Sequence, residues 1–75
     1  MTKLPRITAR KLVAALERGG WRKARQEGSH LFLVHPGRVA LVVVPMHAGQ
    51  TLGPSILKRI LAQAGLSAEE LRGLL

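Results

Sequence analysis

The chain has 75 residues, no cysteine and a formal net charge of +8, from twelve Lys and Arg against four acids. A chain this short buries only about 60% of its unfolded surface, so we treat residues 1–75 as one small domain. The absence of cysteine excludes disulfides and thiolate zinc sites. A partner chain is the usual remaining supplement to so small a core.

The positive charge is concentrated in the first half of the sequence. Residues 1–38 hold nine basic and two acidic side chains, a balance of +7, whereas residues 39–75 hold three and two, a balance of +1. Such one-sided charge favours a polyanionic partner, most commonly nucleic acid, with an anionic membrane or an acidic protein as the alternatives. No run of about 18 apolar residues predicts a transmembrane helix. Residues 1–6 lack the apolar core of a signal peptide, so we expect a cytoplasmic protein that does not contact a membrane.

The first predicted element is a helix. Thr8 suits the N-cap, and Ile7 and Leu12 occupy the two positions of a hydrophobic staple around it. Gly19-Gly20 ends the helix, because glycine accepts the left-handed conformation that follows many helices.

Three short strands follow, at residues 21–26, 30–35 and 39–44. Turn residues separate them, around Gly28 and around Pro36-Gly37. The third strand is almost entirely aliphatic, so we expect both of its faces to be covered.

The last third of the chain predicts two helices. Gly53 is a plausible N-cap, Pro54 suits the first helical position, and Gly65 ends this helix. Residues 67–70 match a capping box that opens a short last helix, which we extend to Leu71.

This α-β-β-β-α order predicts an α+β fold, a three-stranded antiparallel sheet with both main helices on one face. Phe32 and Val34 would then lie on the other, open face. An open apolar face usually marks an interaction surface, so we expect a partner chain or a second copy of this chain to cover it.

The residue types that are absent limit the chemistry. The sequence has no Asp, Cys or Tyr, and its only acids are Glu17, Glu27, Glu69 and Glu70. Two-metal nucleases need clustered carboxylates, and a Ser-His-Asp triad lacks its third member here. A metal site formed by His30, His35 and His47 is disfavoured, because their spacing matches no known ligand pattern. We therefore expect no metal and no cofactor.

His30 is the candidate for metal-free cleavage of RNA. RNA carries its own nucleophile, the 2′-hydroxyl, so a histidine that moves protons near neutral pH suffices together with cations that hold the phosphate. His30 follows Gly28-Ser29, which allow a close approach of phosphate and a hydroxyl hydrogen bond. We expect it to lie opposite the basic run 22–25, surrounded by cations. From the spacing alone, an ordinary exposed histidine at the end of a strand is the favoured interpretation, because a lone histidine is a weak signal.

The other candidates have structural alternatives. His35 precedes Pro36 and is favoured as a polar turn residue, whereas His47 could assist His30, contact phosphate, cap a helix or simply face solvent. Trp21 is favoured as a core residue over a base-stacking one. Arg22, Lys23 and Arg25 form either a solvated strand edge or a set of phosphate contacts, and the charge balance favours the contacts.

Several short motifs, taken together and in order, resemble the HicA family of toxins. They are Gly20-Trp21, Arg25-Gln26, Gly28-Ser29-His30, His35-Pro36, Val44-Pro45 with His47, and Ile60-Leu61 followed by residues 63–67. The resemblance implies a double-stranded-RNA-binding-like fold and a metal-independent mRNA endoribonuclease that arrests translation. It also implies neutralisation by a HicB-type antitoxin. The family's catalytic histidine falls on His30, and a second family histidine of less defined role falls on His47.

The sequence is therefore consistent with three functions. The first is a toxin ribonuclease in which His30 moves a proton, Gly28 and Ser29 position the phosphate, and Arg22, Lys23 and Arg25 guide the RNA. The second is a non-catalytic RNA-binding module of the same fold. The third is a protein-interaction subunit whose charge serves an acidic partner.

Overall fold

The computed structural model describes residues 4–75; the first three residues, part of the N-terminal stretch considered above for a signal peptide, lie outside the described residues. The elements are α1 (Ala9–Arg18), β1 (Arg22–Glu27), β2 (His30–His35), β3 (Arg38–Pro45), α2 (Pro54–Ala64) and α3 (Ala68–Leu74). The predicted order is confirmed. The last helix continues three residues beyond the predicted Leu71, and the third strand is one residue longer at each end.

The predicted helix ends are confirmed. The Thr8 hydroxyl accepts a hydrogen bond from the Lys11 backbone N–H at 3.3 Å at the start of α1. Pro54 occupies the first turn of α2. Gly65 follows that helix with φ 68° and ψ 30°, the left-handed conformation that residues with a side chain rarely adopt.

The sheet is an antiparallel meander with β2 in the centre. One irregularity in β1 affects every side chain on it: Lys23 pairs with Leu33, but Arg25 pairs with the adjacent residue Phe32, so Ala24 is an extra residue in β1. Such a β-bulge reverses the alternation of side chains between the two faces. Before Ala24, the even-numbered side chains of β1 lie on one face of the sheet. After Ala24, the odd-numbered side chains lie on that same face.

The helices cover one face of the sheet. The sheet contributes Leu31, Leu33, Val42 and Val44 to a single hydrophobic core, together with buried residues of all three helices. Trp21 is buried in the same core with 3% exposure, which confirms the prediction of a core tryptophan over a base-stacking one.

The opposite face of the sheet, the open face, carries no helix. Val34 and Leu41 are exposed there, and Phe32 is only half-buried. The prediction that β3 is covered on both faces is therefore wrong within the described chain, because both main helices pack on the same side. Across residues 4–75, none of the helices is long and apolar enough to cross a membrane.

Candidate functional site

His30 lies on the open face of the sheet, at the start of its central strand. Leu31 and Leu33 point into the core, so the strand alternation directs His30, Phe32 and Val34 to the other side. His30 is exposed, and its ring forms no hydrogen bond or ion pair with any part of residues 4–75. The imidazole is therefore free to meet a ligand.

The immediate neighbour of His30 differs from the sequence prediction. We expected cations directly opposite, but His30 pairs with Glu27 on one side and with Pro45 on the other. The reason is the tight hairpin: only Gly28 and Ser29 separate the two strands, so the residues that flank this turn become partners.

A guanidinium neutralises this neighbouring carboxylate. Arg25 Nε lies 2.7 Å from Glu27 Oε2, and the Arg25 guanidinium carbon lies 4.4 Å from the centre of the Phe32 ring. A cation over an aromatic face is attracted by the ring quadrupole, which favours this orientation of Arg25. The positive charge of Arg25 is thus held on the open face, two residue pairs along the sheet from His30.

The β1 bulge separates the three predicted phosphate contacts. Arg22 pairs with Val34 and Arg25 with Phe32, so both lie on the open face with His30. Lys23 pairs with the buried Leu33 and lies on the helix side, where it lines a cleft beside α1. Two of the three predicted cations therefore share a face with His30, and Lys23 does not.

The turn that precedes His30 is open to a ligand. Gly28 has φ 58°, and among residues 4–75 no atom beyond Gly28 and its two chain neighbours lies within 4 Å of the position that a Cβ would occupy there. Glycine is needed for the backbone conformation rather than for lack of space. The Ser29 carbonyl accepts a hydrogen bond from the Met46 N–H at 2.6 Å, which ties the turn to the chain after β3.

His35 is held at the opposite end of β2. Its Nδ1 accepts a hydrogen bond from the Gly37 N–H at 2.9 Å, so Nε2 must carry the hydrogen that faces the Gly19 carbonyl at 3.1 Å. The ring also meets Trp21 edge-on, with centroids 5.2 Å apart. These contacts agree with the predicted structural role of His35.

His47 belongs to a different surface from His30. It is exposed and lines a cleft of about 480 Å³ between the loop after β3 and the start of α1. Thr8 and Arg10 also line this cleft. Within residues 4–75, no three His, Cys, Asp or Glu side chains come close enough together to hold a metal ion.

Sequence reasoning missed two residues of these surfaces. Glu27 could have been found from the hairpin, since a two-residue turn pairs the residues on either side of it. Arg10 had a signal as well, because it places a cation in the first turn of α1, where the helix dipole favours acids.

The fold and the exposed groups define a small basic α+β domain, a three-stranded antiparallel sheet flanked by helices, with a free histidine on an open, cation-bearing sheet face. Comparison with family models identifies it further: the model of the HicA toxin of bacterial toxin–antitoxin systems matches residues 9–66. The chain belongs to the HicA toxin family, as the sequence motifs predicted, and an antitoxin partner follows from this membership. No curated protein matches the chain.

Proposed function

We propose that this toxin is a metal-independent endoribonuclease that cleaves mRNA with His30 and is neutralised by a HicB-type antitoxin. The observation that carries the proposal is the free, exposed ring of His30 on a sheet face that also bears Arg22 and Arg25. Membership of a toxin family supports it, because cleavage of mRNA stops translation and therefore growth.

The reaction needs one proton acceptor and charge stabilisation. Neutral His30 removes the proton from a ribose 2′-hydroxyl, whose oxygen then forms a bond to the adjacent phosphorus as the bond to the 5′ oxygen breaks. The departing 5′ oxygen takes up a proton from water, and the protonated ring returns its proton to solvent. The products are a 2′,3′-cyclic phosphate and a 5′-hydroxyl, and no metal enters the balance.

The cations of the open face supply the charge stabilisation. Arginine is always charged and can donate two parallel hydrogen bonds to phosphate oxygens, which suits Arg22 and Arg25. Glu27 would repel a phosphate beside His30, but its contact with Arg25 offsets that charge. Gly28 and Ser29 form the turn at which the phosphate backbone would approach.

The test is cleavage of a long mRNA in the presence of EDTA. Wild type should produce fragments with cyclic-phosphate ends, whereas His30→Ala, prepared in the same way, should not. His30→Ala also controls for contaminating nucleases, and the exposure of His30 means that the variant should fold normally. Equal cleavage by both proteins would remove His30 from the mechanism, and RNA binding without cleavage would indicate the non-catalytic RNA-binding module.

The open face is also the surface that we assign to the antitoxin. It combines apolar side chains, Val34 and Leu41 among them, with Arg22 and Arg25, so an occupant with apolar and acidic groups would be complementary to it. Binding there would cover His30. Substituting Arg22→Glu should weaken antitoxin binding, whereas Lys58→Glu on α2 should have little effect; equal effects would place the antitoxin elsewhere.

A further inference from the structure

Two adjoining clefts lie on the helix side of the sheet, away from the open face. The first has a volume of about 480 Å³ and the second about 240 Å³. Arg10 and Met46 line both, so the clefts form one continuous groove between α1 and the β1 edge. We call it the α1–β1 groove.

The polar lining of the α1–β1 groove is mainly basic. His47 stands at one end, Arg10 in the middle and Lys23 further along, with Glu17 as the acid. The Arg10 side chain is exposed and makes no hydrogen bond or ion pair with residues 4–75. A long cation that is not used within the fold is available to an anionic ligand.

Arg10 is also placed against the electrostatic preference of its helix. The first turn of α1 contains Arg10 and Lys11 but no acidic residue. The N-terminal end of a helix carries a partial positive charge that favours acids and disfavours cations. A residue that opposes the electrostatic preference of its helix, and that no contact in the fold compensates, is expected at a functional site.

The bulge in β1 adds the second cation to the groove. Because Ala24 is the extra residue, Lys23 and Gln26 both project to the helix side, where they line the groove. The same bulge directs Arg22 and Arg25 to the open face. One strand therefore carries cations to both sides of the β1 edge.

The groove begins close to His30. Pro45 pairs with His30 across the sheet, and the next residue, Met46, lines the groove. The Met46 N–H also donates to the Ser29 carbonyl at 2.6 Å, directly before His30. A chain molecule that contacts His30 can therefore continue past the Gly28-Ser29 turn into the groove.

We propose that the α1–β1 groove binds the phosphodiester backbone of the RNA beyond the cleaved bond, with Arg10 and Lys23 as the phosphate contacts and His47 at its end. The inference rests on the proposed ribonuclease function, and it assigns a second part of the substrate-binding surface. Phosphate is the matching ligand chemistry, since the lining of the groove offers cations for charge and contains no Phe, Tyr or Trp ring for base stacking.

The experiment measures RNA affinity without cleavage. In a His30→Ala background, single-stranded RNA binding is measured over a range of salt concentrations for Arg10→Gln and Lys23→Gln. Lys58→Gln and Arg59→Gln are the matched controls. Both residues are exposed on α2, and each substitution removes one positive charge at a position outside the groove. A trinucleotide, too short to occupy both surfaces, is compared with a long RNA.

Each groove variant should weaken binding of the long RNA by about tenfold, the effect of losing a charge-assisted hydrogen bond. Each should also reduce the slope of log affinity against log salt by about 0.7, the value for one phosphate contact on a single strand. The trinucleotide should not distinguish groove variants from controls. Equal losses for Arg10→Gln and Lys58→Gln with the long RNA would overturn the proposal.

A stability measurement separates binding from folding. Arg10→Glu places an acid in the first turn of α1, so its melting temperature should equal or exceed that of the parent, while RNA affinity falls further than for Arg10→Gln. A marked decrease in melting temperature would make Arg10 a structural residue and overturn the proposal. If wild type does not cleave RNA but Arg10→Gln still weakens binding selectively, the ribonuclease function fails and the groove assignment stands.

Discussion

The two ends of β2 carry the same side chain in two different settings. His30 at the first position is exposed and its ring has no partner within residues 4–75. His35 at the last position uses both ring nitrogens on backbone groups and contacts Trp21. The comparison shows that a histidine becomes available for chemistry when the fold makes no demand on its nitrogens, and that residue type alone does not distinguish the two cases.

The largest expected effect is on catalysis at the free end of the strand. Substituting His30→Ala should lower the cleavage rate by about 10²–10⁴-fold, the contribution of a positioned proton-transfer group. Its free energy of unfolding should change by less than about 0.5 kcal/mol, because the side chain is exposed and unpartnered. Urea unfolding and single-turnover cleavage measure the two quantities.

The same substitution at the other end should have the opposite profile. His35→Ala removes the acceptor for the Gly37 N–H and the donor to the Gly19 carbonyl, so it should lower the free energy of unfolding by about 1–3 kcal/mol. Under conditions where the variant is folded, cleavage should stay within a few-fold of wild type. A stable but inactive His35→Ala protein would contradict the contrast between the two histidines.

Gly20 offers a way to sharpen this result. It has φ 96°, and an added Cβ would lie 2.8 Å from His35 Nε2. Gly20→Ala should therefore destabilise through both the left-handed backbone, at about 1–2 kcal/mol, and the collision with the ring. In a His35→Ala background only the backbone part should remain, and a double-mutant cycle would show the difference as a coupling energy. Strict additivity would mean that the ring does not press on Gly20.

A smaller effect is expected at the neighbour of His30. Two unit charges 4 Å apart in water interact by about 1 kcal/mol, so Glu27→Gln should raise RNA affinity by a few-fold by removing a negative charge beside the phosphate. The cleavage step itself should change little. A large loss of cleavage rate at saturating RNA would instead give the Glu27 carboxylate a direct part in the reaction.

The smallest expected effect concerns acid. Hydrogen bonding to the Ser67 backbone N–H, then to the Ser67 side chain, together with the nearby Arg38 charge, holds the pKa of Glu70 below its ordinary value of 4.5. A lowered folded-state pKa contributes stability that is present above pH 4.5 and is lost as the pH falls through the folded-state value.

The Glu70 contribution can be measured by comparing wild type with Glu70→Gln. Wild type should melt higher near neutral pH, and the difference should shrink as the pH falls below about 4.5. If the difference in melting temperature stayed constant with pH, the charge of the Glu70 carboxylate would not contribute to the stability of the capping box.

Much of the fold was determined by local sequence signals. Thr8, Pro54 and Gly65 mark helix ends through the backbone groups and conformations that they satisfy, and these effects act within a few residues. The Gly28-Ser29 turn likewise fixes the β1–β2 hairpin, and so it places His30 at the start of β2. Among the three histidines, only the family motif singles out His30, because spacing alone does not separate it from an ordinary strand-end residue.

Tertiary structure decided how the charged and polar groups are distributed. The Ala24 bulge sends Arg22 and Arg25 to one face and Lys23 to the other, and strict alternation along β1 does not foresee it. His35 finds its Gly19 partner sixteen residues away along the chain. Strand register and long-range contacts depend on how whole elements pack, so no short stretch of sequence contains them.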